Sequence, residues 1–534
     1  MGDAPHYPVG IIGAGPTGLM LANLLGVYGV KTLLVERHPA TVDEPRAVSI
    51  DDESLRAVQN AGMLDRVLPD IVQGYGVIYH DLAGREFARI MPPSREYGHA
   101  KRNALRQPLF EAALCAALAR SPHVQVRMSH ELTAFTETSD KVELTLRHAG
   151  GTSQATCDWL IACDGGRSTV RDKLGIKMRG ATYAERWLIV DLENREDAFI
   201  HTRTYCDPAR PAIRLPGPHG TLRYEFMLRP DEDADALLDE TRIRSWMRER
   251  VAADAALPIV RKVVYTFHAR MAETWRKGRV FLAGDAAHLS PPFAGQGMNS
   301  GVRDAVNLAW KLAAVARGEL GPCLLDSYAV ERPPHAWSLI RMALRIGSFM
   351  QPKSRGSARL MQGALRAISL YAPARDYILQ LKFKPKPRFD AGFFVPDAAP
   401  NDAMRAGQLL VQPSVELPDG KRVLLDDVLG NSFACIGWSA AADEPALNET
   451  LAGLRANRLV ILRKHKPFPE VAPLPAGMRI VRDCDGVLEN LLDGIHAHAL
   501  LLRPDRHVLA VLRRTHFTQD LARVKTLFAQ TWTA

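Results

Sequence analysis

Val9-Gly10-Ile11-Ile12-Gly13-Ala14-Gly15-Pro16-Thr17-Gly18 stands near the start of the chain and runs through an apolar stretch to Lys31-Thr32-Leu33-Leu34-Val35-Glu36. A short apolar run, a turn of the form G-x-G-x-x-G, an apolar helix and a second strand ending on an acid make the opening βαβ unit of a dinucleotide fold. Gly13 allows the tight turn, Gly15 lets a pyrophosphate approach the backbone, and Gly18 lets helix and strand pack closely. Glu36 closes the second strand, where a carboxylate accepts hydrogen bonds from a ribose and disfavours a 2′-phosphate. Gly13, Gly15, Pro16, Thr17, Gly18, Glu36 and the adjoining Arg37 are the expected cofactor contacts. The turn by itself does not choose FAD over NAD. Val9 to Val30 is also 22 residues without a charge, long enough to span a bilayer. Its six glycines, with Pro16 and Asn23, suit a strand, a turn and a buried helix better than a lipid-facing one.

The rest of the composition fits a soluble globular protein. The 534 residues predict about three to four structural units. Hydrophobic residues make up 47% and charged residues 24%, which excludes disorder, collagen and coiled coil as the main architecture. The net charge of +9 is a mild basic excess that favours anionic small molecules, and no Lys/Arg run marks a nucleic-acid face. Seven scattered cysteines without a C-x-x-C pair suit a reducing compartment. Met1 to Pro8 has no basic segment ahead of an apolar one, so a cytoplasmic location and no membrane are expected.

Between Trp187 and Phe267 the chain alternates in strand-like runs, among them Leu188 to Leu192, Leu222 to Leu228 and Val263 to Phe267. This predicts an inserted, mostly antiparallel sheet. Arg279 to Ala283 reads as a strand and Ser300 to Arg317 as a helix ended by Gly318, so the nucleotide fold resumes there. The expected division is 1–182 with 276–385 for the α/β nucleotide unit, 183–275 for the sheet, a Pro-rich linker over 386–407 and a last domain over 408–534. Within the last domain the expected strands are Phe433 to Trp438, Leu459 to Leu462, Ala499 to Leu502 and Val508 to Leu512, with a helix from Gln519 to Gln530.

Two further motifs follow the glycine turn. Cys163-Asp164-Gly165-Gly166-Arg167-Ser168 puts Asp164 just past a strand and Ser168 at a helix start, and Leu282-Ala283-Gly284-Asp285-Ala286-Ala287-His288 puts Asp285 past another. In this order and spacing the three motifs resemble the single-component FAD-dependent aromatic hydroxylases built like p-hydroxybenzoate hydroxylase, over residues 8 to 385. The resemblance implies a Rossmann-like FAD-binding domain with an inserted substrate sheet. The glycine loop would hold the ADP half, Asp164 would lie near both flavin and pyridine nucleotide, and Asp285 would hold the ribityl chain. Pro45-Arg46-Ala47-Val48-Ser49-Ile50-Asp51-Asp52-Glu53, Cys206-Asp207-Pro208-Ala209-Arg210-Pro211 and Lys384-Pro385-Lys386-Pro387 are similar to the 3-(3-hydroxyphenyl)propionate hydroxylases along essentially the whole chain. That similarity implies hydroxylation of a phenolic acid, 3-(3-hydroxyphenyl)propionate or 3-hydroxycinnamate, ortho to its hydroxyl, with FAD as cofactor, NADH or NADPH and O₂ as co-substrates, and no metal. A homodimer is implied, and the tail resembles thioredoxin-like domains without their C-x-x-C dithiol.

Pro292, Gly295, Gln296, Gly297, Met298 and Asn299 form a loop feeding a helix start, whose free N–H groups suit an anionic reduced flavin. Gln107 resembles a flavin-contacting glutamine of the family, with a helix cap as the alternative. For proton transfer the candidates are Asp51, Asp52 and His288, with Arg46 on the flavin or substrate side. Asp51 or Asp52 capping the next helix, and His288 fixing the G-D turn, are the competing structural roles. Arg210, Arg214 and Arg223 are candidate partners for a substrate carboxylate. Hydroxylation of another phenol or hydroxylated heteroaromatic, and an FAD reductase without oxygen transfer, stay open. Neither G-x-S-x-G nor H-E-x-x-H occurs, which leaves hydrolase chemistry unsupported.

Overall fold

In the computed structural model, which describes residues 4–229, 232–233, 238–352, 354–397, 404–438, 445–469 and 478–532, the glycine motif sits at the centre of a parallel sheet. The order is Val280–Leu282, Gly151–Ala162, His6–Ile12, Thr32–Val35, Val124–Arg127. Gly10 pairs with Leu33 on one side and Leu160 on the other. Strands covered on both faces read as unbroken apolar runs, and Thr32–Val35 and Val280–Leu282 are buried throughout. Helices Pro16–Val27 and Gly297–Ala316 pack on one another beside this sheet. The second begins three residues ahead of the expected Ser300, because the chain turns helical directly after the left-handed Gly295, at φ 62°.

The inserted sheet has eight strands, in the order His288–Leu289, Ile259–Ala272, Met178–Leu192, Leu222–Met227, Ala212–Pro216, Thr202–Tyr205, Val77–His80, Glu86–Ile90. All neighbours are antiparallel except Thr202–Tyr205 with Val77–His80. The last two strands come from within 1–182, so the boundary drawn at 183 is one of sequence and not of hydrogen bonding. Helix Glu240–Arg250 covers one face of the sheet through Ile243 and Met247. The other face looks toward the FAD-type domain.

The tail is a thioredoxin-like mixed sheet, ordered Arg422–Leu424, Ser414–Glu416, Met478–Asp483, Ala456–Leu462, Phe433–Gly437, Ala497–Leu502, Val508–Arg513, and closed by helix Phe517–Ala529. The stretch expected as a linker is, over residues 387–397, a packed strap. Phe389, Phe393, Phe394 and Val395 are buried, the Phe389 N–H donates to Gly407 O at 2.9 Å, and the Val395 N–H donates to Leu509 O at 2.8 Å. Residues 398–403 of that stretch lie outside the described residues. Among the described residues no helix is long and apolar enough to cross a membrane.

Candidate active site

Loops after the carboxyl ends of the parallel strands converge, as they do wherever open α/β sheets bind ligands. They enclose two cavities, of about 170 Å³ and about 430 Å³, that share Gly15, Val42, Arg46, Glu111, Cys163 and Gly165 as lining. Gly13, Glu36, Arg37 and Asp164 line the smaller lobe. Gly13 is left-handed at φ 105°, and a Cβ there would lie 2.4 Å from Cys163 O. Glu36 braces the turn, accepting from Ala14 N at 2.8 Å and His38 N at 2.9 Å. Asp164 accepts from Val170 N at 3.1 Å through one oxygen, while its other is buried with no partner. Burial pushes its carboxyl up. Ser168 caps the helix Thr169–Lys173.

Pro16, Thr17, Arg46, Gln107, Asp285, Pro292, Gly295, Gln296, Gly297 and Met298 line the larger lobe. Two helices start on it, Pro16–Val27 and Gly297–Ala316, and neither has a side-chain cap on its first-turn N–H groups. Those amides and their dipoles are a ready cradle for negative charge. Asp285 is exposed to the cavity that it lines, and the surrounding protein partly desolvates its carboxyl and pushes it up. Gln107 starts helix Gln107–Leu118, accepts from Ala47 N and donates to Glu111 at 2.6 Å. Asn299 lies behind the lining. It accepts from Asp51 N at 3.0 Å and donates to Ser49 O at 3.1 Å and Gly295 O at 2.7 Å, clamping the flavin loop to strand Ser49–Asp51. Gly18 touches no cavity and serves helix–turn packing. An open glycine turn, two uncapped helix starts, an unmet Asp164 oxygen and a cavity-facing Asp285 fit FAD.

Of the expected proton-transfer residues, Asp51 lines the larger lobe, whereas Asp52 and His288 lie behind it. Asp52 is 1% exposed and lines neither lobe; it sits beside Asp51, which is the N-cap of helix Asp52–Asn60 and accepts from Ser54 N at 3.0 Å. Asp51, Asp52 and Glu53 crowd together, but Lys384 is 2.8 Å from Glu53 and 3.1 Å from Asp51, and Arg303 pairs with both. Burial pushes Asp52 up, whereas Arg303 and Lys384 overcome burial to hold Asp51 and Glu53 down. His288 is 1% exposed, bonds Asp304 at 2.7 Å and stacks on Trp275 at 5.2 Å, so it supports the G-D turn from behind. Arg46 does reach the site, where the two lobes join, with its carbonyl held by Arg223 at 2.9 Å.

The candidate carboxylate partners are all spent within the protein. Strand parity sends Arg214 away from the cavity into a buried cluster with Asp254, at 2.6 Å. Arg210 pairs with Glu232, and Arg223 with Asp191 at 2.7 Å. The same parity sends Glu225 into the larger lobe. It is 6% exposed, and burial pushes its carboxyl up to about 7 against the pull of Arg223. Tyr75 and Arg102 also line this lobe and were not singled out in the sequence. Apolar walls come from Val77, Tyr79, Ile213, Leu215, Phe267 and Phe293.

A family described as "FAD binding domain" matches residues 6–343, and one described as "HcaD C-terminal domain" matches 407–527. The chain is 39% identical over 507 residues to a 3-(3-hydroxy-phenyl)propionate/3-hydroxycinnamic acid hydroxylase of Mycobacterium sp. (strain JLS), covering 94% of this chain and 89% of that protein. The chain belongs to the FAD-dependent aromatic hydroxylases. A second such relative, from Burkholderia vietnamiensis (strain G4 / LMG 22486), is 40% identical over 94% of this hydroxylase and 93% of its own length. Among solved structures, the flavin-dependent monooxygenase PieE in complex with FAD and substrate superposes with a TM-score of 0.81 at 25% identity, over 99% of the hydroxylase and 100% of that chain. The hydroxylase's thioredoxin-like tail keeps Cys435 and Cys484 as free thiols, and burial pushes Cys435 up to about 12.

Proposed function

We propose that this monooxygenase hydroxylates 3-(3-hydroxyphenyl)propionate and 3-hydroxycinnamate ortho to the ring hydroxyl. Full-length similarity carries the assignment: relatives named for these substrates are 39–40% identical across 94% of the chain. FAD, once bound, would supply the oxygen-transferring chemistry, with NADH or NADPH and O₂ as co-substrates. Gly13, Gly15, Glu36 and Asp164 hold its adenosine and pyrophosphate side, and Asp285 and the Gly297 helix start hold its flavin side. The uncapped Gly297 amides, already oriented, would stabilise negative charge on a flavin held there. Phe267, Phe293, Tyr79 and Ile213 keep water from the reacting ring and fix its plane. Glu225 is the sheet-wall carboxylate that exchanges a proton with the phenol hydroxyl, since its raised range brackets neutral pH. The reading extends, through the family resemblance, to a homodimer in the cytoplasm, where seven free thiols stay reduced.

The deciding experiment measures NADH oxidation and product identity with 3-(3-hydroxyphenyl)propionate, against substrate-free and phenol controls. Strong stimulation with stoichiometric 2,3-dihydroxy product is expected. NADH consumption that yields only hydrogen peroxide removes this substrate, and an unchanged flavin reduction rate removes the assignment altogether.

A further inference from the structure

Four cationic side chains line the larger lobe: Arg46, Lys101, Arg102 and Lys384. Three have carboxylate partners. Arg46 is 4.0 Å from Glu44, Lys101 is 3.2 Å from Glu96, and Lys384 is 2.8 Å from Glu53. Arg102 alone of the four has none among the described residues. Its Nη2 donates to the Tyr75 hydroxyl at 2.9 Å, and that hydroxyl donates onward to Ser49 Oγ at 3.0 Å. The guanidinium also lies 4.8 Å from the centre of the Tyr75 ring, which fixes its plane. Its Nε is buried with no acceptor.

A guanidinium held by one nitrogen and a stacked ring, with a buried N–H unmatched, is a preorganised fork lacking its carboxylate. The Nε–H has no accessible surface, so an incoming carboxylate meets the fork at Nη1, which no protein group among the described residues occupies, and at the remaining N–H of Nη2. The anchor also sits beside the flavin loop, because Ser49 lies 3.0 Å from where a Gly295 Cβ would stand. Around it, Val77, Tyr79 and Ile90 present an apolar surface for a ring and a short alkyl arm.

We propose that Arg102 binds the carboxylate of the aromatic acid substrate bidentately, with Tyr75 orienting the guanidinium. The assignment rests on the phenolic-acid reading above. It predicts that selection between charged and neutral phenols is made at Arg102, and not at Arg210, Arg214 or Arg223.

The test compares dissociation constants for 3-(3-hydroxyphenyl)propionate and its neutral propionamide, by calorimetry and by flavin absorbance, on FAD-loaded protein. Arg102→Met is expected to weaken the acid by about tenfold to a hundredfold and the amide by less than about threefold. Arg102→Lys keeps the charge but loses the fork, so it falls between, and Tyr75→Phe weakens the acid alone by a few-fold. Equal weakening of acid and amide, or an unchanged acid affinity, overturns the proposal. Should Arg102→Met lose FAD, Arg102→Lys reads the same contrast between ligands. A wild type that binds neither the acid nor the amide removes the phenolic-acid reading, and Arg102's role with it. A wild type that binds and hydroxylates the acid while Arg102→Met binds it as tightly removes only the Arg102 assignment.

Discussion

Glu225 carries two pH dependences of opposite sign. Burial raises its folded range to about 7 from 4.5, so the folded protein holds the proton more tightly than the unfolded chain does. The stability this contributes is complete below about pH 4.5 and is lost as pH rises through about 7, by up to roughly 3 kcal/mol. Proton acceptance runs the other way, since only the carboxylate takes a proton from the phenol. Glu225→Gln should therefore melt a few degrees above the wild type at pH 8.5 and level with it at pH 5. Its kcat/KM should be low and should lack the wild-type rise through pH 7. A melting gain independent of pH would show that the carboxyl titration is not the cause. Glu225 was legible as a strand residue within Leu222 to Leu228 but not as a site residue. Period-two alternation separates Arg223, Glu225 and Met227 from Leu222, Tyr224 and Phe226, yet nothing local says which face meets the cavity. For the same reason Arg214, one strand away, was a candidate ligand and turned out to be buried with Asp254.

At the scale of the element, two glycines in one turn separate binding from folding. A Cβ on Gly15 meets no protein atom within 4 Å, whereas one on Gly18 would lie 1.9 Å from Gly13 O. Gly15→Ala should therefore leave the apoprotein's melting temperature unchanged and weaken FAD by at least about tenfold, measured by quenching of flavin fluorescence. Gly18→Ala should lower the apoprotein's stability by about 1–3 kcal/mol, because the helix must back away from the turn. Equal melting losses in both would mean that Gly15 is also a packing position. This turn was readable in sequence because its chemistry is local: strand, glycine spacing and terminal acid fall within Val9 to Glu36. The eight-stranded sheet was only partly readable, since Val77–His80 joins Thr202–Tyr205 across more than a hundred residues. The proton-transfer residues illustrate the same limit. Motif context brought Asp52 and His288 close to the site, but their burial behind it depends on Lys384 and Asp304, which the local sequence does not announce.

For the whole molecule, the FAD-binding domain, the strap and the tail meet at one buried carboxylate, with a second joint where Arg56 bonds Asp426 of the tail at 2.7 Å. Glu331, on helix Asp326–Met350, accepts from Arg503 of the tail at 2.7 Å, from Lys311 at 2.7 Å, from Asn307 at 2.6 Å and from the Phe393 N–H of the strap at 2.8 Å. Glu331 is 2% exposed and Lys311 and Arg503 are fully buried. Burial alone would push the carboxyl up, but Arg503 and Lys311 outweigh it and hold it at about 2. Its folded range is depressed, so its stabilisation is present above about pH 4.5 and fades as pH falls toward about 2. Removing this carboxylate strands Lys311, while Arg503 keeps its pair with Asp505; one uncompensated buried charge costs about 3–5 kcal/mol, whereas replacing both Lys311 and Glu331 with apolar groups of similar size is near neutral. Glu331→Ala should therefore lower the melting temperature strongly at pH 7 and expose the strap to protease, releasing the tail. The double replacement Lys311→Met with Glu331→Leu, which leaves Arg503 paired with Asp505, should recover most of that loss. If the single and double variants fall equally, the joint depends on hydrogen bonding to Phe393 and Asn307 rather than on balanced charge. If Glu331→Ala melts like the wild type, the domains are held by the remaining contacts, the buried Arg56–Asp426 pair and the packing of Trp310, Phe393 and Phe433 among them.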